Sequence, residues 1–249
     1  MHFRSRKASL VARLALGSLL LTGCKNGSVY GYESDLSSVN EVSWHLWRGA
    51  WLAAAVVGIF TAALILWPVL RHRRKEGDPQ YPKQTQYNIP VEVAYTIIPF
   101  IIVAVLFYFT ARDEAKIIAK EPSKVMHTID VTGIQWSWQF GYQDGGPNAV
   151  VTGTPAQPPT LVLPQGERVA FKIHSNDVVH GFWIPAFMIQ IQNLPGVTNH
   201  IEFTANKIGE YPGRCNILCG RNHSQMVFKV KVVTPEEYKT YVETLKAGA

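Results

Sequence analysis

A chain of 249 residues, 47% hydrophobic and 17% charged, is apolar for a soluble protein yet too polar to be a membrane bundle throughout. Its net charge of +6 is concentrated: Arg4, Arg6, Lys7 and Arg13 supply +4, Arg71, Arg73, Arg74, Lys75 and Lys83 against Glu76 and Asp78 supply +3, and from residue 123 on ten basic residues face nine acidic ones. That distribution belongs to targeting and topology and excludes nucleic acid for want of a basic face, while three cysteines are too few for a disulfide framework or a four-cysteine zinc site.

The first 23 residues read as a secretory signal, with a basic start and an apolar run from Leu10 to Leu21. Leu21-Thr-Gly-Cys24 is similar to a bacterial lipobox, which makes Cys24 a candidate for acylation; an ordinary signal peptide is the alternative. The 22 residues 49–70 carry no charge and as a helix would cover about 33 Å, enough for a bilayer core. Trp47, Trp51 and Trp67 stand near its ends, where aromatic belts form. A second uncharged stretch, Val93–Ala111, includes Pro99, and the spacing predicts helices over about 49–70 and 91–111. The basic connection between them belongs in the cytoplasm, so both ends of the chain and its larger part face outward from the cell membrane.

From about Pro122 the texture changes. Val125–Trp138, Thr160–Leu163, Arg168–His174, Val197–Thr204 and Met226–Val233 are rich in β-branched and aromatic residues and are separated by Gly/Pro/Asn/Asp clusters. Short strands punctuated in this way predict an all-β antiparallel sandwich or Greek-key barrel over 122–235, followed by a surface helix or tail over 236–249.

Cys215, Cys219, His223 and Met226 fall within twelve residues before the last predicted strand, and His180 lies upstream between strands. Two thiolates, two imidazoles and a thioether are soft donors, a set that suits copper better than zinc. One cysteine would serve a mononuclear blue-copper site; two can bridge a pair of ions, each of which then gains one histidine and one weak ligand. A simple disulfide is the competing reading of two exported cysteines, made less attractive by His223 and Met226 at their offsets. His174 falls on the polar side of its strand and His200 follows a Pro-Gly turn within another, so neither is included in the donor set.

These residues carry a resemblance. Cys215-Asn-Ile-Leu-Cys-Gly-Arg-Asn-His-Ser-Gln-Met226, Asp177-Val-Val-His180, Gln135-Trp-Ser-Trp-Gln-Phe-Gly-Tyr142 and Glu92-Val-Ala-Tyr-Thr-Ile-Ile-Pro99 are similar, in this order, to motifs of subunit 2 of the haem–copper cytochrome c oxidases. The likeness covers most of the chain after the signal, and the lipobox start looks most like actinobacterial members. It implies a two-helix hairpin bearing a cupredoxin-like domain with a binuclear copper centre. Cys215 and Cys219 would bridge both ions, with His180 and Met226 on one and His223 and the Ile217 carbonyl on the other. Trp136 would take the electron from cytochrome c, or from a membrane-bound c-type haem protein. Asp177 would serve docking of that donor, and Glu92 would stand near a proton-channel entrance in subunit 1. Read from residues alone, Trp136 is a strand aromatic, Asp177 a turn cap and Glu92 an acid favoured by a helix dipole.

The resemblance implies subunits 1 and 3 as partners, with oxygen chemistry in subunit 1. Two departures from the family pattern bear on a magnesium ion at the interface with subunit 1: Ile217 stands where glutamate is usual, and Gln190-Ile-Gln192 stands where Lys-x-Asp is common. The copper carbonyl survives that change; the magnesium carboxylate does not. The rival function is a membrane-anchored copper chaperone using Cys-x3-Cys plus a histidine.

Overall fold

The computed structural model describes residues 31–81 and 83–248, so the signal and Cys24 lie outside the described residues. Helix α1, Ser38–Arg71, begins where the Ser37 hydroxyl accepts the Asn40 N–H at 3.0 Å. Its 34 residues reach about 51 Å, well past a bilayer core. The excess lies at the N-terminal end, where Leu36, Ser37, Val39 and Asn40 are buried. Asn40 accepts the Leu36 N–H at 3.0 Å and donates to the Ala186 carbonyl at 3.2 Å, fastening the helix start to the β domain. Beyond that start Leu52, Ile59, Phe60, Leu64 and Ile65 stand exposed, the surface of a helix that meets lipid.

Helix α2, Ile89–Ile117, is capped reciprocally: Asn88 accepts the Val91 N–H while Glu92 accepts the Asn88 N–H at 3.0 Å. It outruns its uncharged stretch by six residues, because Asp113, 3% exposed, is paired with Arg112 at 2.8 Å and Lys116 at 3.1 Å and the turn continues. Loss of apolarity marks the end of the membrane stretch, not of the helix. Among the described residues these two helices are long and apolar enough to cross a membrane.

Ten strands follow: β1 (His127–Ile134), β2 (Ser137–Tyr142), β3 (Val150–Thr152), β4 (Thr160–Pro164), β5 (Arg168–Ser175), β6 (His180–Ile184), β7 (Ile189–Asn193), β8 (Asn199–Thr204), β9 (Gly209–Cys215) and β10 (Val227–Val233). They form two five-stranded sheets, ordered β3-β2-β1-β5-β8 and β4-β10-β9-β6-β7. Most pairs are antiparallel as the turn pattern predicts, but β1 with β5 and β4 with β10 are parallel, so the sandwich is mixed. In β5 the alternation is regular, with Val169, Phe171 and Ile173 buried. The core between the sheets is aromatic: Phe182 stacks on Phe228 at 5.1 Å, Phe171 on Phe203 at 4.7 Å, and Trp138 meets Phe228 edge-on at 5.2 Å.

The run Val125–Trp138 is not one strand. Ile134 pairs with Ser137, leaving Gln135 and Trp136 as a two-residue hairpin turn at one end of the sandwich. Strands β6 and β9 end at that same corner, through His180 and Cys215. Helix α3, Pro235–Ala247, opens with a full capping box between Thr234 and Glu237 and buries Tyr238 and Val242.

Candidate metal centre

Cys215 closes β9 and its N–H donates to the Met226 carbonyl at 2.9 Å, so the intervening residues form a loop whose two ends are zipped by the β9–β10 ladder. The ladder fixes Cys215 and Met226 opposite each other, and a single 3-10 turn at His223–Gln225 returns the loop inward. The Sγ atoms of Cys215 and Cys219 lie 3.8 Å apart. Both cysteines are free and buried, and that separation is far from the roughly 2.05 Å of a disulfide. His223 Nδ1 stands 3.5 Å and Met226 Sδ 3.7 Å from Cys219 Sγ. The Ile217 carbonyl turns inward, 3.2 Å from Cys215 Sγ.

His180 arrives from the neighbouring strand and is fully buried. Sequence reading places it between strands; it is the first residue of β6, paired with Asn193. Its Nε2 is bonded to Asp177 Oδ1 at 2.7 Å, whereas its Nδ1 is buried without a partner. A buried imidazole nitrogen with nothing to bond is costly unless a ligand completes it. The ligand atoms of His180, Cys215 and Cys219 lie within 4.8 Å of one another, a group that could hold a metal ion. The residues present therefore fit a soft metal.

The local field is arranged for thiolate. Burial opposes ionisation of Cys215, but the neighbouring His180 imidazole and the Gly181 N–H outweigh it and pull the thiol down. Burial and then the adjacent Cys215 push Cys219 up, so the first negative charge settles on Cys215. Burial works against the charged form of His180 too, yet Cys215 and Asp177 together raise it. Asp177 is held below the usual carboxylate range: burial resists, and bonds from His180 and from the Gln135 and Val178 N–H groups prevail.

Of the residues singled out in the sequence, His180, Cys215, Ile217, Cys219, His223, Met226, Trp136 and Asp177 gather at this corner. Glu92 does not; it sits in the first turn of α2, its carboxylate engaged in the helix cap. His174 bonds Thr132 at 3.2 Å and His200 is exposed on β8, both outside the donor set. Sequence reading overlooked Gly133 and Gln135. A Cβ on Gly133 would stand 2.7 Å from the His180 ring, so only glycine leaves the imidazole its place; a lone glycine within a predicted strand is the signal for such an approach.

The fold and site define a class: an all-β, cupredoxin-like domain, with a His/Cys cluster able to hold a metal ion, carried on a two-helix membrane hairpin. The family model described as "Cytochrome C oxidase subunit II, periplasmic domain" matches residues 156–233. Probable cytochrome c oxidase subunit 2 of Streptomyces avermitilis is 37% identical over 284 residues, covering 97% of this chain and 88% of that protein. The corresponding probable subunit of Streptomyces coelicolor is 39% identical over 80% of this chain and 74% of its own length, and cytochrome c oxidase subunit 2 of Mycobacterium tuberculosis is 33% identical over 96% and 81%. A solved structure of the periplasmic domain of subunit II of cytochrome oxidase of Bradyrhizobium japonicum is 31% identical, covers 50% of this chain and 96% of that one, and has a TM-score of 0.44. The chain belongs to the cytochrome c oxidase subunit 2 family. It is thus an electron-transfer subunit of a respiratory oxidase, two-pass in the membrane with its β domain on the extracytoplasmic side.

Proposed function

We propose that this chain holds two copper ions at the corner formed by β6, β9 and the loop 216–226 and is where electrons from cytochrome c, or from a membrane-bound c-type haem protein, enter the oxidase. A copper pair bound there would supply one-electron acceptance and release. Cys215 and Cys219 would hold both ions, with His180 and Met226 serving one and His223 and the Ile217 carbonyl the other. The single observation that carries this reading is the placement of Cys219 Sγ, with Cys215 Sγ, His223 Nδ1 and Met226 Sδ all between 3.5 and 3.8 Å from it. One ion bound by two cysteines and one histidine would leave His223 and Met226 without a role.

Trp136 receives the electron. It is partly exposed at the corner and its indole N–H donates to the Cys219 carbonyl at 3.2 Å, whereas Trp138 is fully buried in the core. Asp177 assists donor docking, and Glu92 lies near the proton-channel entrance of subunit 1. Subunits 1 and 3 complete the complex. In the mature protein residues 1–23 are removed and Cys24 is lipidated; 24–115 comprise an N-terminal segment and the two-helix hairpin, 122–235 the copper domain and 236–249 the C-terminal helix and tail.

A second reading has one specific support: His180, Cys215 and Cys219, whose ligand atoms lie within 4.8 Å of one another, are also the set of a single-ion Cys-x3-Cys plus histidine copper carrier. Copper stoichiometry and electron paramagnetic resonance of the purified full chain separate the two. Two ions per chain sharing one unpaired electron are expected; one ion per chain, with a mononuclear signal and easy transfer to a copper acceptor, would establish the carrier.

A further inference from the structure

The β1–β2 turn does more than present Trp136. Gln135 donates its side-chain amide to the Cys219 carbonyl at 2.8 Å, the same oxygen that receives the Trp136 indole N–H at 3.2 Å. A carbonyl has two lone pairs, so these two donors fill it. The main-chain N–H of Gln135 donates to Asp177 Oδ2 at 2.6 Å, and the other oxygen of that carboxylate is bonded to His180. One residue thus joins the loop that carries His180 to the loop that carries Cys219, although its own side chain reaches none of the metal donors. The opposing wall is cut to fit. Gly220 has φ +121°, and a Cβ there would stand 3.2 Å from both the Gln135 amide nitrogen and the Trp136 indole.

We propose that Gln135 is a positioning residue for electron uptake: its amide fixes the Cys219 carbonyl on which the Trp136 indole ends, so that the ring is held at one distance from the cysteine. The inference rests on the reading of Trp136 given above. It ascribes to Gln135 no contact with the metal and no part in donor docking.

The test has a metal-free arm and a copper-loaded arm, both on the full chain in detergent. In the metal-free protein, labelled with nitrogen-15 at tryptophan, exchange of the Trp136 indole proton with solvent is followed by magnetic resonance. Gln135→Met keeps the length of the side chain and removes its donor; with the Cys219 carbonyl no longer fixed, exchange should quicken severalfold, up to the roughly fivefold worth of one net hydrogen bond. Gln135→Lys, which restores an N–H donor, should bring it back. In the loaded protein the rate of electron uptake from a soluble c-type cytochrome is measured for Gln135→Met, Trp136→Phe and the pair. If Gln135 acts through Trp136, the double variant is no slower than Trp136→Phe alone, and copper content stays that of the parent. Unchanged exchange in Gln135→Met, or fully additive losses in the double variant, would overturn the proposal. A Trp136→Phe variant that takes up electrons as fast as the parent refutes the reading of Trp136 instead, and the exchange arm then decides whether Gln135 fixes the indole.

Discussion

His180 and Asp177 meet at 2.7 Å, Nε2 to Oδ1, the imidazole wholly buried and the carboxylate partly open to solvent. The bond decides which face of the ring is free. With Nε2–H donating to the acid, Nδ1 is left bare toward Cys215 and Cys219, the tautomer a metal requires.

That relationship separates two roles for Asp177. Both of its oxygens are already engaged by groups of this chain, the N–H donors of His180, Val178 and Gln135. Asp177→Asn should therefore weaken copper binding by roughly tenfold or more, as loss of a ligand's outer hydrogen-bond partner does, measured by competition with a chelator. A residue acting only in donor docking would leave that affinity intact and would instead flatten the salt dependence of electron uptake.

Gly133 offers a steric counterpart. A methyl group there must displace His180, which is enclosed on every side and cannot retreat as an exposed side chain could. Gly133→Ala should disturb His180 while sparing His223, which lies in a different loop. The expected result is a folded protein, by circular dichroism, whose two copper ions have become unequal in affinity and whose hyperfine pattern is no longer shared evenly. Full loading with an unchanged spectrum would show that β1 yields easily at this point.

The donor set was legible because the loop between β9 and β10 is contiguous: spacing alone brings Cys215, Cys219, His223 and Met226 together. What spacing cannot give is the packing across strands. Gln135 and Trp136 read as strand because their neighbours are apolar and β-branched, yet the hairpin turns there without any glycine or asparagine to announce it. Strand β9, with Gly209, Pro212 and Gly213, carries little β propensity and is held by pairing to β10 on one side and β6 on the other. The parallel pairs β1–β5 and β4–β10 likewise depend on contacts far apart in sequence.

Tyr142, Tyr238 and Tyr241 pack beside one another under α3, and burial, first of all, raises each phenol above the ordinary value of 10.0. Tyr142 accepts the Val162 N–H at 2.8 Å and Tyr238 donates to Asp144 at 3.3 Å. A phenol raised on folding binds its proton more tightly in the native state, so its stabilising contribution is whole below pH 10 and is lost as pH climbs through the folded value. Alkaline titration should therefore give a late, cooperative phenolate absorbance step coincident with loss of the β-sheet signal. Tyr142→Phe, which cannot ionise, should move that transition to higher pH, offset by loss of the bond to Val162. Smooth titration of all tyrosines near pH 10 with the fold intact would contradict it.

Ile217 tests what the copper loop gives to subunit 1. Its carbonyl faces Cys215, its side chain is an alkyl group, and the next residue, Leu218, is 80% exposed at the loop tip. Across the neighbouring edge strand Gln190 and Gln192 are exposed and neutral, with Gln192 paired to Gly181 beside Asn216. Magnesium demands oxygen ligands in a near-octahedral array, and position 217 offers no side-chain oxygen for it. A neutral face also leaves no charge to be buried unpaired at an interface, a loss that costs about 3–5 kcal/mol when one partner of a buried pair is missing. The oxidase assembled in manganese should then show weak manganese or none whose resonance is broadened by oxidised copper. Ile217→Glu should create or strengthen that broadened signal, with copper content unchanged because the backbone ligand is kept. A tightly bound manganese already coupled to copper in the parent, and indifferent to the added glutamate, would mean that the site is built without residue 217.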